Sequence, residues 1–169
     1  MKILITGGAG FIGSAVVRFI IKNSPHYVIN IDKLTYAANL KGLESVSYSE
    51  KYIFEKVDIC NRQQLEHVFE LYQPHAVIHL AAESHLDRSI DNPFTFIENN
   101  IIGTFTLLEA TRNCLNYTSK QIKENFRFIH VSTDEVYSEL KSKESSFNES
   151  SCYSPDSSYS TSKVFQVNI

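Results

Sequence analysis

Tyr159-Ser160-Thr161-Ser162-Lys163 places a phenol and an ammonium four residues apart. On a helix that spacing projects both side chains from one face. A nearby ammonium favours phenolate and lowers a tyrosine pKa, which makes the phenol usable as a general base. Upstream, Ser132-Thr133 supplies hydroxyls, and the Thr133 hydroxyl can hydrogen-bond the oxygen that Tyr159 deprotonates. Asp134-Glu135 follows directly. Adjacent carboxyl groups diverge in pKa through mutual repulsion and unequal burial, so that one can hold a proton while the other is ionised. Each feature also has a plainer reading. A YxxxK spacing arises by chance in many chains, and an acidic pair often sits in a solvated loop or caps a helix.

A second set of residues has the chemistry of phosphate and ribose recognition. Thr6-Gly7-Gly8-Ala9-Gly10-Phe11-Ile12-Gly13 carries glycines at 7, 10 and 13. In a dinucleotide fold the first glycine permits a sharp turn, and the second lets backbone approach a pyrophosphate. The third lets helix pack closely on strand, while the helix N-terminus, here Phe11 and Ile12, offers unpaired N–H groups. Asp32 lies 19 residues after Gly13. A carboxylate there accepts hydrogen bonds from adenosine ribose hydroxyls and repels a 2′-phosphate, which favours NAD over NADP, with the cation Lys33 beside it. Asp58 and Ile59 are placed to flank an adenine, the carboxylate toward its amino group and the aliphatic side chain against its face.

These residues need elements to hold them. Lys2 to Thr6 reads as a buried parallel strand ending in glycine. From Phe11 to Lys22 the spacing of Ile12, Ala15, Val16, Phe19 and Ile20 predicts an amphipathic helix that covers a sheet face through that stripe. Tyr27–Ile31, Tyr52–Val57, Ala76–Leu80 and Phe126–Val131 read as further strands, with a helix over Arg62–Tyr72. Pro93 suits the first turn of a long helix running to about Asn116, with Phe96, Ile97, Ile101, Phe105 and Leu108 inward. Ser158 to Ile169 regains helical character. Strands separated by helices imply right-handed crossovers, hence an α/β doubly wound parallel sheet, Rossmann-like, with ligands outside the carboxyl ends of its strands. Between Ser138 and Ser162, 11 of 25 residues are serine, which predicts a solvated loop over Ser138–Ser151.

Composition narrows the class. The 169 residues fit one domain, and 43% hydrophobic with 21% charged residues supports a packed core. A net charge of −3 argues against nucleic acid as partner, and no apolar run is long enough to cross a bilayer. Cys60, Cys114 and Cys152 form no CxxC pair, which fits a reducing, cytoplasmic setting. The histidines lack zinc-site spacing, so no metal is expected, and His79 reads as a core histidine.

The glycine turn together with Tyr159-xxx-Lys163 resembles the extended short-chain dehydrogenase/reductase family that acts on nucleotide sugars. His79-Leu80-Ala81-Ala82-Glu83-Ser84-His85-Leu86-Asp87-Arg88-Ser89 and Ser132-Thr133-Asp134-Glu135-Val136-Tyr137 narrow the likeness to its sugar-nucleotide 4,6-dehydratases. That resemblance implies NAD as cofactor and a sugar nucleotide, dTDP-glucose foremost, as substrate. It implies C4 oxidation, loss of water across C5–C6 and hydride return to C6, with Thr133, Tyr159 and Lys163 serving the oxidation. Glu135 is implied as the base at C5 and Asp134 as the acid at C6. Leu80, Ala81 and Ala82 are implied on the nicotinamide side with Tyr159 and Lys163, and Ser84, Arg88, Asn100 and Thr133 near the substrate. The base attached to the sugar stays open, because residues selecting it lie largely downstream in that family.

Two departures shape the expectation. Ser138 stands where the family has glycine, and six residues follow Lys163, about 9 Å of helix. The family continues with a C-terminal substrate-binding region, so the chain reads as an incomplete dinucleotide-binding domain over 1–169. The family also implies a homodimer through the Tyr159 helix, and shortening that helix removes much of the interface. A nucleotide-sugar epimerase or decarboxylase of the same fold, and an inactive NAD-binding fragment, stand as alternatives.

Overall fold

The computed structural model describes residues 1–85, 92–137 and 146–167. The chain divides into two compact units, one formed by Met1–Ala81 with Thr106–Val131, the other by Ala82–Phe105 with Ser132–Ile169.

The first unit holds five strands: β1 (Lys2–Thr6), β2 (Tyr27–Asp32), β3 (Tyr52–Lys56), β4 (Ala76–His79) and β5 (Arg127–His130). All pair in parallel, in the order β3-β2-β1-β4-β5. The chain therefore builds outward from β1 to β3, then crosses back to β4, and the reversal lies between β1 and β4. In an open parallel sheet that is where the carboxyl ends of strands diverge and leave a crevice. The predicted α/β doubly wound architecture is what the structure shows, with strand ends shifted by one or two residues.

Helix α1 (Phe11–Asn23) covers one sheet face, where Ile3, Ile5, Val17, Ile21 and Val28 form the core. Helix α2 (Arg62–Tyr72) serves the other, with Leu4, Ile29, Leu65, Phe69 and Val77. The α1 contact line differs from the expected one. Gly13, Ser14, Val17 and Ile21 are buried, whereas Phe11, Ile12 and Phe19 are 94%, 60% and 68% exposed. Gly13 explains the rotation. A Cβ there would overlap the Gly7 carbonyl oxygen, so the helix meets the turn through its smallest residues, and the bulkier stripe swings outward.

In the second unit, α3 (Pro93–Phe96) runs into a π-helical stretch, Ile97–Gly103, continued by α4 (Thr104–Asn116). The long helix exists as predicted, but its inward face does not. Phe96 is buried, while Ile97 and Phe105 are exposed, and Asn99, Asn100, Gly103 and Thr104 take the inward positions. A π segment bonds i to i+5 and so shifts the phase of everything after it. Most of α4 and helix α5 (Lys120–Asn125) belong to the first unit, while α6 (Ser158–Val167) and a 3₁₀ turn over Asp134–Tyr137 belong to the second. Among the described residues no helix is long and apolar enough to cross a membrane.

Candidate active site

In the first unit the glycine turn is held by backbone contacts. Gly7 has a φ of +71°, and its N–H donates to the Ile31 carbonyl at 2.9 Å. A Cβ on Gly7 would lie 2.7 Å from the backbone nitrogen and Cα of Ala81, so a side chain there would be strained and crowded at once. Gly10 is the N-cap of α1, and no side chain caps the helix. The N-terminal N–H groups that begin at Phe11 and Ile12 are therefore not taken up by a side-chain cap, an arrangement whose chemistry suits an anion.

Asp32 ends β2 with both carboxylate oxygens engaged: Oδ2 accepts from Ala9 N–H at 3.0 Å and Oδ1 from Leu34 N–H at 2.8 Å. Each oxygen keeps a second lone pair, so the group still fits ribose hydroxyls. The Lys33 ammonium lies 3.8 Å from the Asp58 carboxylate, which also accepts from Cys60 N–H. Ile59 is 6% exposed and packs in the core with Val57, Leu65 and Phe69.

Thr6 is a residue the sequence reading passed over. Its hydroxyl accepts from Leu80 N–H at 3.2 Å and Ala81 N–H at 3.1 Å, and pairs with His79 Nδ1 at 2.6 Å. It thereby fixes the backbone that leaves β4 and satisfies the buried His79, as a core histidine requires. The signal was a threonine directly before the glycines.

In the second unit the reactive groups come together around α6. Tyr159 and Lys163 share one face and are both buried. The Tyr159 phenol hydrogen-bonds the Thr133 hydroxyl. That hydroxyl also accepts from Glu135 N–H at 3.3 Å and lies 3.4 Å from Asp134 Oδ1. The phenol, the Thr133 hydroxyl and the Asp134 carboxylate therefore adjoin, with Glu135 tied in through its backbone N–H.

The electrostatics differ from the simple ammonium–phenol picture. Burial, with Glu135 and Asp134 alongside, pushes the Tyr159 phenol up, against the smaller opposing effect of the Thr133 bond. Burial pulls the Lys163 ammonium down to about 8. The phenol is raised here by burial first and by the neighbouring Glu135 and Asp134 carboxylates second. Glu135 is itself raised, by burial first and then by Asp134 and Asp156. That moves Glu135 toward the range in which a carboxylate is an effective base near neutrality.

Asn100 is 0% exposed, its Oδ1 accepts from Glu83 N–H at 2.9 Å, and its Nδ2 donates to Glu83 O and to Ser162 Oγ. Both ends of the amide are used, so it acts as a clamp between Glu83 and α6. Ser162 in turn donates to the Tyr159 carbonyl at 2.7 Å, and Gln166 Nε2 reaches Asn100 O and Thr104 Oγ1. At the start of α6, Ser157 Oγ accepts from Ser160 N–H while Ser160 Oγ accepts from Ser157 N–H, each at 3.0 Å. This is a capping box with serine in the return position. Ala82 and Ser84 are exposed, and Arg88 and Ser138 lie outside the described residues.

A parallel α/β sheet with a glycine-rich strand-turn-helix, in a chain that also carries a Tyr-xxx-Lys helix, is the pattern of a class of sugar-nucleotide enzymes. The chain belongs to the GDP-mannose 4,6 dehydratase family, which matches residues 4–169. It is 55% identical over 164 residues to the dTDP-glucose 4,6-dehydratase of Haemophilus influenzae, covering 97% of this chain and 48% of that protein. Among solved structures, the dTDP-glucose 4,6-dehydratase of Streptomyces venezuelae with NAD bound superposes with a TM-score of 0.86 at 39% identity, covering 98% of this chain and 49% of that one. A UDP-glucose 4-epimerase of Thermotoga maritima gives 0.81 at 33% identity, covering 98% and 48%. The chain spans about half the length of the curated relatives it matches.

Proposed function

We propose that this chain carries the dinucleotide-binding and acid–base residues of an NAD-dependent dTDP-glucose 4,6-dehydratase. The observation that carries the reading is the cluster on the second unit, where the Tyr159 phenol, the Thr133 hydroxyl and the Asp134-Glu135 pair are linked by hydrogen bonds. The uncapped α1 N-terminus, the glycines whose Cβ atoms would fill the turn, and the spare lone pairs of Asp32 fit an adenine dinucleotide diphosphate and its ribose. Bound NAD supplies a hydride acceptor for C4 and a hydride donor for C6.

The protein's own residues move the protons. Tyr159 takes the C4 hydroxyl proton, with Thr133 bonded to the same oxygen and the Lys163 cation stabilising the phenolate. Once C4 is a ketone, the C5–H bond is acidified, and Glu135 removes that proton. Asp134 gives a proton to the C6 hydroxyl, which leaves as water. An epimerase has no departing water, so a neighbouring acid and base favour dehydration over epimerisation or decarboxylation. Ser84 and Arg88 are assigned to the substrate, and the cytoplasm and a homodimer follow from the family reading.

Incubating the chain with NAD and dTDP-glucose and following the 4-keto-6-deoxy product tests the reading. Glu135→Gln is expected to abolish exchange of the C5 proton with solvent deuterium while leaving NAD binding intact. Undiminished exchange would remove Glu135 as the base. NAD binding without product from the unsubstituted chain would instead favour the inactive fragment.

A further inference from the structure

Three successive β2 residues meet three successive residues of the glycine turn. The Ile31 carbonyl accepts from Gly7 N–H, and the Asp32 carboxylate accepts from Ala9 N–H. Between them Asn30, fully buried, sends its carboxamide against Gly8. A Cβ on Gly8 would overlap Asn30 Oδ1 and would stand 3.0 Å from Nδ2. Gly8, unlike Gly7, does not have positive φ, so its backbone would accept an L side chain. The three atoms nearest such a Cβ all belong to the Asn30 side chain.

Asn30 is an unusual occupant for that place. Its Nδ2 donates to the Tyr52 hydroxyl at 3.0 Å, and Oδ1 is buried with no hydrogen-bond partner. An aliphatic side chain in the middle of a parallel strand would avoid that loss. The amide is instead held by Tyr52 so that its oxygen faces Gly8, where the contact left to it is a weak Cα–H···O interaction. We infer that Asn30 is a positioning residue for the dinucleotide diphosphate. It acts through Gly8, setting the height of the turn between the two backbone anchors at Gly7 and Ala9. This rests on the reading above that the turn receives NAD.

The inference makes Gly8 and Asn30 a reciprocal pair, and calorimetry with NAD, ADP and adenosine on the full chain tests it. Asn30→Ala is expected to weaken NAD and ADP about tenfold and leave adenosine unchanged, because only the diphosphate meets the turn. Gly8→Ala should abolish NAD binding, and the double variant Gly8→Ala/Asn30→Ala should recover it to the level of Asn30→Ala alone. A merely structural asparagine would weaken all three ligands together and give no recovery. Wild-type NAD affinity in Asn30→Ala, or a double variant no better than Gly8→Ala, overturns the assignment. No NAD binding by the unsubstituted chain would overturn the dinucleotide reading itself, and the two failures are thereby distinguished.

Discussion

Around the glycine turn, shape is held by main chain and by steric exclusion: Gly7 N–H on Ile31 O, Ala9 N–H on Asp32, and no space for a Cβ at Gly7 or Gly13. Around Tyr159, shape is held by side chains that meet across long sequence separations. Asn100 bridges Glu83 and Ser162, Gln166 bridges Asn100 and Thr104, and the phenol bonds Thr133. The first arrangement tolerates little change in residue size. The second tolerates size changes better but depends on every polar group keeping its partner. A phosphate needs a fixed surface, whereas proton transfer needs groups whose charge can change.

The sharpest way to break this contrast is Asn100→Leu. The substitution keeps the volume and removes the three hydrogen bonds by which the Asn100 amide joins Glu83 and Ser162, while Ser162 keeps its bond to the Tyr159 carbonyl. At about 1 kcal/mol for each lost bond, with an added cost for placing an apolar side chain against polar groups, the loss should reach about 4 kcal/mol. Chemical denaturation followed by tyrosine near-UV dichroism should show the loss. If the two arrangements are independent, NAD affinity in the surviving folded protein stays normal, and a loss of affinity in proportion to stability would erase the distinction.

Lys163 offers the next largest effect. Burial lowers its ammonium from 10.5 to about 8, so between those values the unfolded chain binds the extra proton and stability rises with pH. Below pH 8 the lysine is charged in both states and the penalty is complete, about 3 kcal/mol at most. Other groups act with the opposite sign. Cys114 and Tyr159 are raised, so they remove stability as pH climbs past about 9 and 10 respectively. Glu135 is also raised, and it does so as pH rises through its ordinary range. The difference between wild type and Lys163→Met isolates the lysine. The variant should be more stable at pH 7, with its advantage shrinking toward pH 10. A constant difference across that range would mean the ammonium is not desolvated.

These two residues also show where sequence reading reaches its limit. Gly7, Gly13 and Asp32 were legible because the turn, the helix start and the strand end lie within a few tens of residues and follow fixed spacing. The five strands were legible as β-branched runs between turn signals. The role of Asn100 was not, because the partners that fix its amide, Glu83 and Ser162, lie 17 and 62 residues away in sequence. The direction of the Tyr159 shift is hidden for a related reason: the local i,i+4 neighbour is a cation, but burial first, and then carboxylates brought in by a distant turn, decide it. The burial of Ile59 was not legible either, because exposure cannot be read from its position after a strand.

Gly13→Ala tests the first arrangement. The added methyl meets the Gly7 carbonyl oxygen and Gly8 Cα, neither of which is a flexible end that can swing aside. Overpacking at such a site costs about 2 kcal/mol. The urea midpoint should fall and NAD affinity should fall with it, since α1 must back away from the turn. A stable variant with unchanged affinity would show that the close approach is not what forms the anion site.

The smallest effect is expected at the α6 capping box, and it discriminates most finely. Ser160→Ala removes the hydroxyl that accepts from Ser157 and Asp156 N–H but leaves Ser157 Oγ to accept from residue 160. Loss of one side of such a cap costs about 1 kcal/mol. Because Tyr159 sits in the first turn of α6, fraying there should lower kcat while KM and NAD affinity hold, and Ser160→Thr should restore it. If instead kcat is unaffected at full stability loss, the clamp from Asn100 through Ser162 to the Tyr159 carbonyl suffices to place the phenol, and the helix start is free to vary.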